Sequence, residues 1–367
     1  MTESQYRVAV WSTGGIGSIA IRAIHERPNL DLVGVWVHSP EKDGMDAGEL
    51  ANGEPIGLAV TTDADALIAL KPDCVIYGAS GPERDAGHIP DYVKLLSAGI
   101  NVVTTSTTRL VNPHAYEPAE WRDQLAAAAK QGQVTLYASG IEPGFAADYL
   151  PLVLTTQSSQ IEKIHCYEIG MYDDYGVPDI MSDALGFGRP LDYTPWISFP
   201  GAIAGEWHGQ IRMVAEALGV ELQEVRETFD RAVTERTLEV AMGTVEAGTC
   251  GALRMQAIGI VDGHEAIVIE HVTRLAPDIA PHWPTLPNAL GYRVVVTGTP
   301  DIDCTFDVTL RDRKKAGIES MTSGAGAMVA TAMRVVNAVP YVVAAEPGLV
   351  SSVELPLTIP KRAFNPA

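Results

Sequence analysis

Residues 8–17 read VAVWSTGGIG: an apolar run that stops at Ser12-Thr13-Gly14-Gly15-Ile16-Gly17, after which a helical pattern begins near Gly15. Such a turn presents backbone N–H groups, with no side chains in the way, to a diphosphate at the start of the next helix. Gly14 and Gly17 stand three apart, a spacing that lets the chain touch the pyrophosphate and lets the helix pack close to the strand. Ser12 stands where such turns usually carry their first glycine; serine takes that bend with some strain and adds a hydroxyl. The strand before and the helix after supply the context that a glycine motif alone lacks. Ser12, Thr13, Gly14, Gly15, Ile16 and Gly17 are therefore expected to cradle a redox dinucleotide.

The next strand-like run ends Val37-His38-Ser39, with Glu41 and Lys42 beyond it. An acidic residue about 20 positions past the glycines would bond the ribose 2′-hydroxyl of NAD. No carboxylate stands at this tip, and Ser39 and Lys42 suit a 2′-phosphate. NADP is the expected cofactor, with NAD as the alternative, and His38, Ser39 and Lys42 mark the adenosine end. Gly78-Ala79-Ser80-Gly81 closes another buried run, where Ala79 and Ser80 leave room for the nicotinamide ribose.

Other polar groups invite two readings each. Glu142, in Glu142-Pro143-Gly144-Phe145, is either a site carboxylate or a cap on a helix starting near Gly144. Tyr167 and Glu168 precede Asp173-Asp174-Tyr175; Tyr167 is a reserve proton donor, and the acidic pair reads as solvated surface. His208, beside Trp207 on a helix, is either an ordinary packed histidine or a substrate contact. Asn337 lies in an apolar helix and needs a partner if buried: the nicotinamide, the strand ends or the helix terminus.

These residues need a scaffold. Strand-like runs at 8–11, 30–37, 73–77, 101–104 and 134–138 alternate with helical patterns at 15–27, 63–70, 90–98 and 118–131, an order that implies a parallel sheet covered on both faces. Asp63 should cap its helix, and Gly132 should follow the end of the helix that Pro118 opens. Beyond residue 154 long β-rich runs imply a mostly antiparallel sheet with a helix over 203–218, followed by a buried helix over 325–339. The fold class is α/β: residues 1–154 with a returning segment 325–345 as the dinucleotide domain, and 155–324 as an α+β domain for substrate and dimerisation.

The 367 residues are 46% apolar, carry a net charge of -20 and include four well-separated cysteines. Such a charge repels nucleic acid and acidic membranes at long range. Arg334, Asn337 and Pro340 interrupt the most apolar stretch, no secretory signal pattern opens the chain, and no metal-ligand spacing occurs. A cytoplasmic protein acting on a small molecule, without nucleic acid, membrane or metal, is the expectation.

Beyond these readings, the chain resembles the dihydrodipicolinate reductase superfamily, in its branch of 2,4-diaminopentanoate dehydrogenases and native amine dehydrogenases. VAVWSTGGIGS, KDGMDAGELA, NVVTTS, SGIEPGFAADYLP, GFGRP and VVNAVPYVVAAEPG carry the likeness, in order, across nearly the whole chain. The resemblance implies a Rossmann domain, a second α/β substrate domain, NAD(P)H and a homodimer. Substrate is expected between the domains, against Glu142, Phe145, Thr107 and Thr108, with Glu142 as the proton donor. Two features depart from the branch. The glutamate that handles amine or ammonia after the NVVTT strand is replaced by Ser106-Thr107-Thr108-Arg109, and Glu142 stands where asparagine is common. No HHxxK arrangement occurs, which argues against dihydrodipicolinate reductase itself. The readings are therefore an amine dehydrogenase-like enzyme moving hydride to or from a C=N or C=O carbon, a carbonyl reductase without amine activity, or a non-catalytic NADP-binding protein.

Overall fold

The computed structural model describes residues 5–80, 85–288, 290–319 and 324–364; Gly81 lies outside them. The chain divides into two compact units, one of Met1–Gly144, Asp312–Glu319 and Met328–Ala367, the other of Phe145–Arg311 and Ser320–Ala327. The first division thus falls at Gly144, ahead of the residue 154 expected from sequence.

The first unit opens β1 (Tyr6–Trp11), α1 (Gly15–His25), β2 (Leu30–Trp36), the short helices α2 (Ala47–Leu50) and α3 (Ala64–Ala69), and β3 (Cys74–Tyr77). It continues α4 (Asp85–Ser97), β4 (Asn101–Thr104), α5 (Ala119–Gly132) and β5 (Thr135–Ala138). β3, β4 and β5 are four residues each and wholly buried, as strands covered by helices on both faces must be. Asp63 caps α3 as expected, accepting from Asp65 and Ala66 N–H. Two helix ends differ from the sequence reading. α4 starts at Asp85, with Pro90 inside it, because His88, Ile89 and Tyr92 bury against the sheet. α5 ends on left-handed Gln133 (φ 56°); Gly132 is needed instead for packing, since a Cβ there would sit 1.8 Å from the Leu96 carbonyl oxygen.

The second unit holds α6 (Tyr149–Thr155), β6 (Gln160–Met171), α7 (Ala202–Leu218), β7 (Glu224–Val233) and the β8–β9 hairpin (Leu238–Val240, Gly243–Val245). β10 (Cys250–Val261), β11 (His264–Arg274), β12 (Leu290–Thr299) and β13 (Ile302–Asp307) complete its sheet. Then come α8 (Arg313–Ala316), α9 (Ala325–Val343) and β14 (Gly348–Val350).

The first sheet runs β14-β5-β4-β3-β1-β2, all parallel. The strand order reverses between β1 and β3, and the carboxyl ends at such a reversal form the ligand crevice of doubly wound sheets. α9 is long and apolar enough to cross a membrane, but Val335, Val336, Val339 and Val342 pack into the core under this sheet.

The second sheet runs β13-β12-β6-β11-β10-β7 and is antiparallel except for the β6–β11 pair. Ile164, Cys166, Ile267, Ile269, Val294 and Val296 project from one face into the core that α7 closes. On the other face, fully buried Glu270 accepts from His165 Nε2 (2.9 Å), Arg254 Nε (2.7 Å) and Gln256 Nε2 (2.6 Å). Burial opposes its charge, yet these donors outweigh burial and bring the carboxyl down to about 2.

A folded-state pKa below the unfolded one adds stability above about pH 4.5 and forfeits it as pH falls toward 2, ~3 kcal/mol in all. Glu270→Gln should therefore cost ~3 kcal/mol at neutral pH by leaving Arg254 short of its partner, and the variant should lose less than wild type on acidification. Urea midpoints at neutral and acid pH read this out; parallel acid losses in the two proteins would refute it.

Candidate active site

β1 delivers Ser12 into a bend with φ 101°, a region that favours glycine. The hydroxyl helps to hold that bend by accepting from Gly14 N–H at 3.1 Å. Gly17 then passes so close that a Cβ would lie 1.9 Å from the Ser12 carbonyl oxygen. Gly14 caps α1 with no side-chain hydrogen bond, and Gly14 and Gly15 are exposed, so the helix start faces outward as an anion cradle requires. Ile16 packs toward β3's exit: a Cβ on Gly78 would come 3.4 Å from its Cγ2. Half-buried Ala79 and exposed Ser80 follow at the same end of the sheet.

Lys42 Nζ donates to Thr13 Oγ1 at 3.2 Å, so its ammonium is carried to the glycine turn. Ser39 precedes the short 3-10 turn Pro40–Lys42 that makes this reach, and exposed His38 tilts against Trp36 with ring centres 6.1 Å apart.

Glu142 and exposed Thr108 line a small hollow of about 40 Å³ at the carboxyl ends of β4 and β5, with Ser139 and Thr331. The cap reading of Glu142 is corrected: no helix begins at Gly144, and α6 starts at Tyr149, capped by Asp148. The loop is fastened instead by Arg334 of α9, whose Nη2 donates to the Gly144 carbonyl (3.2 Å) and the Tyr137 hydroxyl (3.1 Å) and whose Nε reaches Ser139 Oγ (3.3 Å). The sequence reading missed this role; the signal was a lone arginine inside an apolar helix.

Four assignments change. Thr107 is fully buried and meets Tyr92 Oη (3.1 Å) and His88 Nδ1 (3.4 Å), so it anchors the loop after β4 and leaves Thr108 to face outward. Asn337 pairs through Oδ1 with Arg27, between α1 and β2, at the amino edge of the sheet and away from any nicotinamide. Tyr167 donates to His165 Nδ1 at 3.0 Å on the Glu270 face, opposite the face that α7 covers. His208 shares its helix stripe with exposed Arg212 and Glu216, which act on it electrostatically; its neighbour Trp207 turns to the sheet and meets the His271 ring. Phe145 joins an aromatic chain through Phe306 (5.6 Å) to Tyr292 (5.9 Å).

A reversed parallel sheet, a glycine turn at the reversal and a helix start aimed outward define the NAD(P)-binding dehydrogenase class of folds. Residues 6–108 match the N-terminus of dihydrodipicolinate reductase, and residues 145–364 match the 2,4-diaminopentanoate dehydrogenase C-terminal domain. An amine dehydrogenase from Streptomyces virginiae is 41% identical over 352 residues, 95% of each chain. The 2,4-diaminopentanoate dehydrogenase of Acetoanaerobium sticklandii is 25% identical over 261 residues, 70% of this chain and 67% of that one. The structure of an amine dehydrogenase from Mycobacterium smegmatis shares the fold at a TM-score of 0.78 and 20% identity, over 98% of this chain and 99% of that one. The chain belongs to the 2,4-diaminopentanoate dehydrogenase and amine dehydrogenase branch of the dihydrodipicolinate reductase-like oxidoreductases. It is an oxidoreductase.

Because a Cβ at Gly17 meets backbone and not a flexible side chain, Gly17→Ala must open the turn. NAD(P)H binding, followed by energy transfer from tryptophan, should weaken by at least about a hundredfold as the cradle N–H groups are displaced. Unchanged affinity in folded Gly17→Ala would refute the cradle.

Proposed function

We propose that this protein is an NADP-preferring oxidoreductase that moves hydride between the nicotinamide and the C=N or C=O carbon of a small ketone, imine or amine. The observation that carries the reading is the exposed glycine turn at the β1–β3 reversal, with Lys42 drawn to it. The likeness to an amine dehydrogenase over 95% of both chains supports the amine side of the chemistry.

In this reading the backbone from Ser12 to Gly17 holds the pyrophosphate. Ser39 and Lys42, with His38 beside them, take the adenosine end, and Ala79 and Ser80 flank the nicotinamide ribose. The bound cofactor supplies the hydride. Glu142 gives or takes the proton, and Thr108 shares its hollow. A homodimer in a reducing cytoplasm completes the proposal, supported by the family and by four free cysteines.

A second reading, carbonyl reduction without ammonia, draws support from the loop after β4. Ser106, Thr107, Thr108 and Arg109 offer no carboxylate there, and threonine does not exchange protons near neutrality as a tuned carboxylate does.

NADPH oxidation over a panel of small ketones and aldehydes, with and without ammonium, separates the two. Ammonium-dependent turnover is the expected result; turnover indifferent to ammonium favours carbonyl reduction, and none with any acceptor overturns the proposal. Glu142→Gln should lower kcat by about 10²–10⁴ with little change in KM, the usual worth of a general acid. Lys42→Ala should weaken NADPH by about tenfold or more through loss of a charge-assisted contact, and leave NADH alone. Equal losses for both coenzymes would contradict the 2′-phosphate role.

A further inference from the structure

Glu168 and His271 of the second unit stand outside the proposed machinery. Glu168 on β6 is the register partner of His271 on β11 and of Tyr292 on β12. Register partners project to the same side of a sheet, and alternation puts this set on the side of Cys166 and Ile269, which α7 covers. Trp207 of α7 meets the His271 ring nearly edge-on at 6.2 Å, Tyr172 meets it at 5.8 Å, and Tyr175 stands 5.5 Å from Tyr172. A Cβ on Gly170 would lie 3.5 Å from Tyr172 Cε1, so the Tyr172 ring folds back over Gly170 toward Glu168.

Among the described residues no hydrogen bond or ion pair reaches the Glu168 carboxylate, and His271 Nε2 is wholly buried without a partner. Burial alone pushes the Glu168 carboxyl up to about 7 and the His271 imidazole down to about 4. Glu168 is half-buried, whereas His271 Nε2 is a buried polar atom of the kind that is paired as a rule and costs free energy until a partner arrives. A carboxylate, and a neutral imidazole that keeps one acceptor nitrogen in either tautomer, stand here among aromatic rings. The complementary ligand is compact, positively charged and rich in N–H donors, as a primary ammonium is; aromatic rings tolerate such a charge better than aliphatic walls do.

We propose that Glu168, with His271 and the Tyr172 and Trp207 rings, binds the ammonium group of a primary amine or the ammonium ion. Its part in turnover rests on the amine-handling reading above; the binding itself does not.

Calorimetric titration of the whole protein with propylammonium, ammonium and the donor-free tetramethylammonium tests the site directly. Wild type should bind propylammonium or ammonium at least about tenfold more tightly than tetramethylammonium, which offers charge but no N–H donor; equal affinity for all three would overturn the proposal. Propylammonium bound more tightly than ammonium would assign the site to an amine, and the reverse order to ammonia. Glu168→Gln should weaken binding by at least about tenfold, as loss of a charged hydrogen-bond partner does. Glu168→Asp, which keeps the charge, should recover part of it and guards against a Gln variant that fails to fold. Equal affinity in wild type and Glu168→Gln, or no binding by wild type, overturns the proposal. Amine binding that depends on Glu168 without ammonium-dependent turnover would sustain the site and sink the amine reading of function. Ammonium-dependent turnover with an unchanged ammonium KM in Glu168→Gln would do the reverse.

Discussion

The approach of Gly17 to the Ser12 carbonyl oxygen is the constraint on which the rest of the first unit hangs. It lets α1 start directly off β1, so the helix lies against the sheet and its first N–H groups point outward at the strand-order reversal. A non-glycine residue at φ 101° costs on the order of 1–3 kcal/mol. Ser12 offsets part of that cost because its hydroxyl accepts the Gly14 N–H, a bond that glycine at the same position has no atom to make. The turn has therefore exchanged backbone ease for a side chain that braces it. Thr13, braced in turn, offers its hydroxyl to Lys42.

The same economy of polar contacts governs the loops at the carboxyl ends of β4 and β5. Tyr92 reaches both Thr104 (2.9 Å) and Thr107 (3.1 Å) with one hydroxyl, which fixes the loop after β4 from within. Arg334 distributes its donors over Ser139, Tyr137 and Gly144, and so holds the Glu142 loop from the returning helix. Gly144 is required there, since at φ 121° a Cβ would sit 2.3 Å from the Gly140 nitrogen. One loop is thus committed to structure by buried hydroxyls, while the other keeps its carboxylate at a hollow.

Much of this was legible because it is local. Short buried strands, the glycine turn and the Asp63 cap are set by neighbours in sequence, and periodicity and residue type report them. Features set by partners far along the chain were not legible. Asn337 finds Arg27 across 310 positions, and Arg334 finds Ser139 across 195. The contrast between Tyr167 and Glu168 is sharper still. Composition picks out the pair, but which of two adjacent residues faces the helix depends on the parity of the strand, and one position exchanges the faces. Gly132 shows the same limit: its place after a helix suggested a cap, whereas the neighbouring helix demanded it.

Net charge and local chemistry pull in opposite directions in this protein. A chain of net charge -20 opposes the approach of an anionic dinucleotide, so the cofactor site proposed here relies on contacts that act within a few ångströms: backbone N–H groups of the turn and one lysine beside them. The same field favours the approach of a cationic amine, and at the end of that approach a carboxylate freed of protein partners matters more than one already paired. Glu270 is the counterexample within the same sheet. Three donors already occupy both of its oxygens and stabilise its charge. Glu168, one strand away and on the other face, keeps its acceptor capacity because nothing among the described residues satisfies it.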